Sequence, residues 1–250
     1  MAQQNITLVT GGSRGIGKAT ALLLAERGHK VCINYRQREE EALAVVKTIR
    51  QQGGSAIAIA ADISDERQIL AMFSQIDQRL GPITGLVNNA ARLLPQSRVE
   101  QLSAPRLSEI FQANISGSIL CAREAVKRMS TQYHGRGGAI VNVSSAAARL
   151  GSAFEYTDYA ASKGAIDTFT RGLSVEVAAV GIRVNAVRPG FIYTDMHAEG
   201  GEADRVERVK SQLPMARGGQ PIEVAYAIAW LLSEEASYVT GSFIDLAGGK

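Results

Sequence analysis

The sequence predicts an α/β protein, a doubly wound (Rossmann-type) and mostly parallel sheet of seven strands with helices on both faces. Three observations carry this. Apolar runs of strand length alternate with longer segments of helical period along almost all of the 250 residues. Those runs are apolar at nearly every position, as strands covered on both faces must be. The first run leads directly into a glycine-rich turn, Thr10-Gly11-Gly12-Ser13-Arg14-Gly15-Ile16-Gly17, and the turn into an Ala- and Leu-rich segment. No linker or low-complexity stretch intervenes, so residues 1–250 are expected to form one domain.

The elements follow in order. Residues 6–9 read as a buried strand and 18–27 as a helix that Gly28 ends. Residues 30–35 are a second strand. Residues 38–52 carry Ala42, Val45, Val46 and Ile49 at helical spacing. Ala and Ile alternate through a third strand, 55–60. Asp65 opens a helix with Ile69, Met72, Phe73 and Ile76 on one face. A fourth strand spans 83–87, one long helix 104–130 and a fifth strand 139–143. An Ala-rich helix spans 157–180, a sixth strand 182–187, a helix 221–233 and a last strand 243–246. Residues 191–219 lack a clean period and read as a substrate lid, with Gly200-Gly201 as its hinge. Met196, Met215 and Phe191 in it face either a ligand or the packing, and charges such as Glu199 and Arg205 read as a solvated face. Ligands of such sheets sit at the carboxyl ends of the strands, so the loops starting at Thr10, Asp62, Asn88, Ser144 and Arg188 share one rim.

Composition narrows the function. Lys and Arg number 27 against 24 acids, a net charge of +3, and the cations are scattered, which argues against a nucleic-acid surface. Cys32 and Cys121 lack metal-site spacing and read as small buried apolar residues of a reducing compartment, so no metal site is expected. Residues 1–5 lack the pattern of a secretion signal, and no apolar run approaches the ~20 residues of a membrane span. The expectation is a cytoplasmic protein that acts on a small molecule.

In the glycine turn, one glycine permits the bend, one lets a diphosphate approach the backbone, and one lets the helix sit against the strand. Gly11, Gly15 and Gly17 are spaced G-x3-G-x-G, unlike the common G-x-G-x-x-G fingerprint. Gly12 to Lys18 also fits the opening of an ATP-type phosphate loop. That loop needs a hydroxyl at the next position, where Ala19 stands, with Thr20 one place late.

Tyr159 and Lys163 are one helical turn apart and share a face, and Ser144 and Ser145 follow the fifth strand. An ammonium beside a phenol is expected to lower its pKa from about 10, making an acid/base suited to alcohol–carbonyl interconversion. A serine hydroxyl on the same rim would hold the substrate oxygen.

Thr10-Gly11-x3-Gly15-Ile16-Gly17, Asn88-Asn89-Ala90, Ser145, Tyr159-Ala160-Ala161-Ser162-Lys163 and Pro189-Gly190 occur in one order from the first strand onward. Together they resemble the short-chain dehydrogenase/reductase family over nearly the whole chain. The resemblance implies Tyr159 as proton donor or acceptor and Lys163 as its partner, holding the nicotinamide ribose. It implies Ser145 orienting the substrate carbonyl, with Ser144 as the alternative, and Asn114 anchoring a proton relay. Tyr156 rivals Tyr159 but lies two turns before Lys163, so Tyr156 and Glu155 read as pocket wall. The resemblance also places Asp62, with Ile63, at the adenine, although Asp62 equally suits a helix cap. Asn88 and Ala90 fall on the adenosine side, Pro189 and Gly190 beneath the nicotinamide, and Ile192 and Thr194 near its carboxamide. Homotetramers built on the two long helices and the C-terminal segment are implied too.

The end of the second strand selects the cofactor. It reads Asn34-Tyr35-Arg36-Gln37-Arg38, without the acid that would bind a ribose 2′-hydroxyl. Arg36, and Arg14 in the turn, suit a 2′-phosphate, so NADP is expected over NAD. The leading expectation is an NADP-dependent oxidoreductase moving a hydride between the nicotinamide and a carbonyl or secondary alcohol. The alternative is a non-catalytic NAD(P)-binding sensor on the same fold.

Overall fold

The computed structural model describes residues 4–250. Met1, Ala2 and Gln3, part of the segment read above for a secretion signal, lie outside the described residues. The chain begins with β1 (Ile6–Val9), α1 (Gly15–Glu26), β2 (Lys30–Tyr35), α2 (Glu39–Gln51) and β3 (Ser55–Ala60). Next come α3 (Glu66–Arg79) and β4 (Gly85–Asn88). Asp65 caps α3 by accepting a hydrogen bond from the Arg67 amide.

Residues 104–130 are not one regular helix. α4 (Ala104–Phe111) passes through a π-helical turn, Gln112–Gly117, into α5 (Ser118–Met129). A Cβ on Gly117 would stand 2.4 Å from the Ile63 carbonyl oxygen, so only glycine lets this helix press so closely on the loop after β3. The turn also re-aims Asn114, as π-turns at functional sites do.

β5 (Gly138–Val143), α6 (Ala147–Leu150) and α7 (Thr157–Val177) follow, with Ala178–Val180 tightening into a 3-10 turn. β6 (Ile182–Pro189) runs two residues past the expected strand because Arg188 and Pro189 pair with Asp245 and Leu246. The aperiodic stretch holds two short helices, α8 (Met196–Glu199) and α9 (Arg205–Val209). α10 (Pro221–Leu232) and β7 (Phe243–Leu246) complete the chain.

The seven strands form one parallel sheet in the order β3-β2-β1-β4-β5-β6-β7. The chain winds outward from β1 to β3, then crosses back to place β4 on the other side of β1. That reversal opens a crevice at the carboxyl ends of β1 and β4, the switch point where such sheets bind ligands. Each face has its own core. One packs α1, α2 and α10 through Leu24, Ile49 and Ile228; the other packs α3, α5 and α7 through Phe73, Met129 and Leu173. Cys32 and Cys121 are buried and free, as expected. No described helix is long and apolar enough to cross a membrane, and the described residues hold no cluster of metal-binding side chains.

Candidate active site

The glycine turn after β1 is tied down by its neighbours. Gly12 N donates to the Asn34 carbonyl at 2.9 Å, and Gly11 N to Asn34 Oδ1 at 3.3 Å. Asn89 Nδ2 donates to the carbonyls of Thr10 (2.9 Å) and Gly11 (3.0 Å), while Thr10 Oγ1 accepts from the amides of Asn89 and Ala90. A Cβ on Gly17 would lie 2.3 Å from Gly11 O and 2.6 Å from Asn89 Nδ2. Gly17 is thus the glycine that lets α1 close onto the turn.

Above the switch point lies a cavity of about 460 Å³. From the turn it is lined by Gly11, Ser13, Arg14, Gly15 and Ile16, and from the end of β2 by Asn34, Tyr35 and Arg36. Asp62, Ile63, Ala90 and Thr194 close the remaining sides. Asp62 Oδ1 accepts from the Ser64 amide (2.9 Å) and hydroxyl (2.6 Å), and Oδ2 from Arg92 (3.0 Å). Burial raises its pKa, but the Ser64 bonds and the Arg92 and Arg36 charges prevail and hold it below the usual value. Asp62 therefore shapes the loop, while Asp65 does the capping.

Asn88, Ile192, Pro189 and Gly190 do not line this cavity. The Asn88 side chain turns into the sheet, donating to Asn142 Oδ1 (2.9 Å) and the Ser118 carbonyl (3.0 Å). Asn89, the next residue, lines the cavity instead. The alternation of strand faces explains the swap, since Asn88 is still the last residue of β4. Ile192 lines a second cavity of about 290 Å³ with Phe191, Leu213 and Met215. Pro189 and Gly190 join three elements: Pro189 O accepts from Ala146 N, and Gly190 N donates to Leu246 O.

Beyond β5 the chemistry-bearing side chains converge. Ser145 Oγ accepts from Ala147 N (3.1 Å), donates to the Pro189 carbonyl at 3.5 Å and sits close enough to the Tyr159 hydroxyl to lower its pKa. Ser144 is buried, with its hydroxyl on the Lys163 carbonyl, which leaves Ser145 as the serine facing the tyrosine. Lys163 Nζ sits 5.5 Å from the Tyr159 ring centre and donates to the Val143 carbonyl at 2.7 Å. Asn114 Nδ2 donates to Ser162 Oγ (3.0 Å), which itself donates to the Tyr159 carbonyl (2.7 Å). Asn114 also exchanges two bonds with the backbone of Arg92.

The electrostatics differ from the sequence expectation. Burial pushes the Tyr159 phenol up to about 12, against a smaller opposing effect of the Ser145 hydroxyl. Burial also brings the Lys163 ammonium down to about 8, with the Asp167 carboxylate resisting. The ammonium lies over the ring and is bound to Val143, so desolvation outweighs the expected lowering of the phenol. Tyr156 corrects another expectation. It is buried, and its hydroxyl donates to the Gly200 carbonyl at 2.9 Å, fastening the 191–219 segment rather than lining an open pocket. Glu155 pairs with Arg205 and Arg208 of that segment. Glu199 is paired too, with Arg14 and, at 3.5 Å, Arg38. Sequence reasoning missed Arg38, which lines the cavity two residues beyond Arg36.

The cavity suits an anionic dinucleotide. Its floor is a glycine turn at a helix N-terminus, and Arg14 Nη1 is buried with no partner among the described residues. The end of β2 adds Arg36 and Arg38, and the nearest acid there, Glu39, is engaged by the Tyr35 hydroxyl (3.1 Å).

A parallel sheet with a glycine-rich turn at its switch point, beside a Ser–Tyr–Lys cluster, matches the class of nicotinamide-dependent oxidoreductases. The family profile described as enoyl-(acyl carrier protein) reductase matches residues 11–250. The chain belongs to the short-chain dehydrogenase/reductase family, and it is an NAD(P)-dependent oxidoreductase. It is 64% identical to the uncharacterized oxidoreductase YgfF of Escherichia coli (strain K12), over 98% of this chain and 99% of that protein. It is 35% identical to the 3-oxoacyl-[acyl-carrier-protein] reductase FabG of Staphylococcus aureus (strain Mu50), over 100% and 99%. A crystal structure of a short chain dehydrogenase from Burkholderia cenocepacia J2315 in complex with NADP superimposes with a TM-score of 0.88. That match is 32% identical and covers 99% of this chain and 98% of the other.

Proposed function

We propose that this enzyme is an NADP-dependent carbonyl reductase or alcohol dehydrogenase whose proton-transferring group is Tyr159. The observation that carries the reading is the meeting of Ser145, Tyr159 and Lys163 at the carboxyl end of β5. The nicotinamide cofactor, when bound, supplies or takes up the hydride. Tyr159 gives its phenolic proton to the substrate oxygen in reduction and recovers it in oxidation. Ser145 orients and polarises that oxygen. Lys163, released from the Val143 carbonyl, holds the ribose and stabilises the phenolate. Asn114, fixed by Ser162 and the Arg92 backbone, anchors the path that returns protons from solvent.

The turn residues Gly11, Ser13, Gly15 and Ile16 hold the diphosphate, with Asp62 and Ile63 at the adenine and Thr194 at the carboxamide. Pro189 and Gly190, beside Ser145, support the nicotinamide. Arg36 and Arg14, with no acid at the end of β2, select NADP, and the NADP complex of the Burkholderia relative supports that choice. Residues 191–219 cover the substrate. The match to a 3-oxoacyl-thioester reductase puts such thioesters among the substrates to assay first.

Titrating the cofactor-free protein with NADPH and NADH, alongside Tyr159→Phe turnover of a carbonyl panel, tests this. The expected result is tighter NADPH binding, weakened by Arg36→Ala, and turnover abolished in Tyr159→Phe with NADPH binding retained. Turnover by Tyr159→Phe at the wild-type rate would remove the catalytic assignment. Tighter binding of NADH would remove the cofactor assignment.

A further inference from the structure

Two acids of the 191–219 segment, Asp195 and Glu199, line the cavity, and Glu199 is the one paired with arginines there. Glu199, the last residue of α8, accepts a hydrogen bond from Arg14 Nη2 and lies 3.5 Å from Arg38 Nη2. These two guanidiniums come from the glycine turn and from the chain just past β2. With Glu199 itself, both line the 460 Å³ cavity.

Other partners divide the remaining cations. Arg38 is shared with Glu41 at 3.0 Å, and Arg36 lies 3.8 Å from Asp62. Glu41 belongs to α2 itself, so it accompanies Arg38 whatever the cavity holds. Glu199 arrives from a segment more than 150 residues away, and its carboxylate alone bridges the two arginines. Arg14 Nη1 stays buried and without a partner among the described residues, so the pairing leaves donor capacity unused. A carboxylate satisfies one edge of such a site, whereas a phosphate offers three oxygens to the same forks.

We propose that Glu199 is a specificity-determining residue for the cofactor. Its carboxylate competes with a ribose 2′-phosphate for Arg14 and Arg38, and so limits how far the enzyme favours NADP over NAD. This rests on the nicotinamide-binding reading above but not on which cofactor is preferred. NADPH must displace Glu199 to reach both arginines, and NADH has no group that contests them. The same displacement removes one tie on α8, while the Tyr156 bond to the Gly200 carbonyl remains.

Binding of NADPH, NADH, adenosine 2′,5′-bisphosphate and adenosine 5′-monophosphate to wild type, Glu199→Gln and Glu199→Ala tests this by calorimetry at low and high salt. The two ligands bearing a 2′-phosphate should bind about three- to tenfold tighter to either variant, with the other two unchanged. High salt should shrink that gain. An unchanged or weakened affinity for the 2′-phosphate ligands would overturn the proposal. An equal gain for all four ligands would overturn it as well, because Glu199 would then act on the cavity as a whole. The wild-type ratio of NADPH to NADH affinity reads the cofactor preference separately. If wild type favours NADH and Glu199→Gln shifts the ratio toward NADPH, the NADP assignment fails while this proposal stands.

Discussion

The Arg188 guanidinium grips the Asp167 carboxylate through Nε at 2.9 Å and Nη2 at 2.8 Å, both side chains being almost wholly buried. Asp167 lies one turn beyond Lys163 on α7, and Arg188 immediately precedes Pro189 and Gly190 on β6. The pair therefore bolts the helix carrying Tyr159 and Lys163 to the strand end beside Ser145. Arg188 also stacks over Phe243 of β7, with 4.1 Å to the ring centre. Removing one member of a buried pair strands the other charge, at about 3–5 kcal/mol. Asp167→Ala should therefore lower stability by about that amount in urea unfolding, and Asp167→Ala combined with Arg188→Met should recover part of it. A single-variant loss within ~0.5 kcal/mol would mean that the pair does not hold these elements together.

The cluster's titration gives stability a pH dependence whose sign can be worked out. Lys163 is pulled down to about 8, whereas the unfolded chain keeps a lysine proton to about 10.4. Between those values the unfolded state binds more protons, so the Lys163 contribution to stability rises with pH. Tyr159, pushed up to about 12, acts oppositely: above about 10 the unfolded chain loses a proton that the folded chain keeps, and stability falls. In urea unfolding from about pH 7 to pH 10, wild type should gain on Lys163→Met. A difference that is flat or shrinks over that range would contradict the buried, partly neutralised lysine.

Much of this was legible in the sequence, because parallel strands buried on both faces announce themselves by unbroken apolar runs. β1, β2, β3 and β7 begin and end at the expected residues. The glycine turn and the Ser145, Tyr159 and Lys163 positions were equally readable, since each needs a particular residue at a particular spacing. What escaped was whatever depends on long-range contact. The π-turn around Asn114 has no local signature, and it ends where Gly117 packs against the Ile63 carbonyl. Asn88 and Asn89 are chemically identical, so only the register of β4 decides which faces the cavity. The role of Glu199 depends on arginines far away in the chain.

Gly117 offers a direct test of that π-turn. Gly117→Ala places a methyl group against a backbone carbonyl that cannot rotate aside, so α5 or the Ile63 loop must move. The expected destabilisation is about 1–3 kcal/mol, the usual scale of overpacking. Asn114 lies in the same turn, so turnover should fall further than stability alone requires, with NADPH affinity less affected. Wild-type stability and turnover in Gly117→Ala would show that the turn tolerates a side chain and does not fix Asn114.

Tyr156 ties the 191–219 segment to the body of the enzyme, and its removal should separate substrate capture from chemistry. Its ring packs beneath the Arg205 guanidinium, 4.5 Å from ring centre to carbon, while Arg205 itself is held by Glu155. Tyr156→Phe keeps the stacking and deletes only the bond to the Gly200 carbonyl, beside the expected hinge at Gly200-Gly201. Losing one such buried bond costs about 1 kcal/mol, too little to unfold the protein but enough to loosen the segment beside its Gly200-Gly201 turn. Tyr159 and Lys163 are untouched, so kcat should stay near wild type while KM for the carbonyl substrate rises several-fold. Limited proteolysis between α8 and α9 should speed up in step. A fall in kcat with KM and proteolysis unchanged would assign Tyr156 to the chemistry rather than to holding the cover.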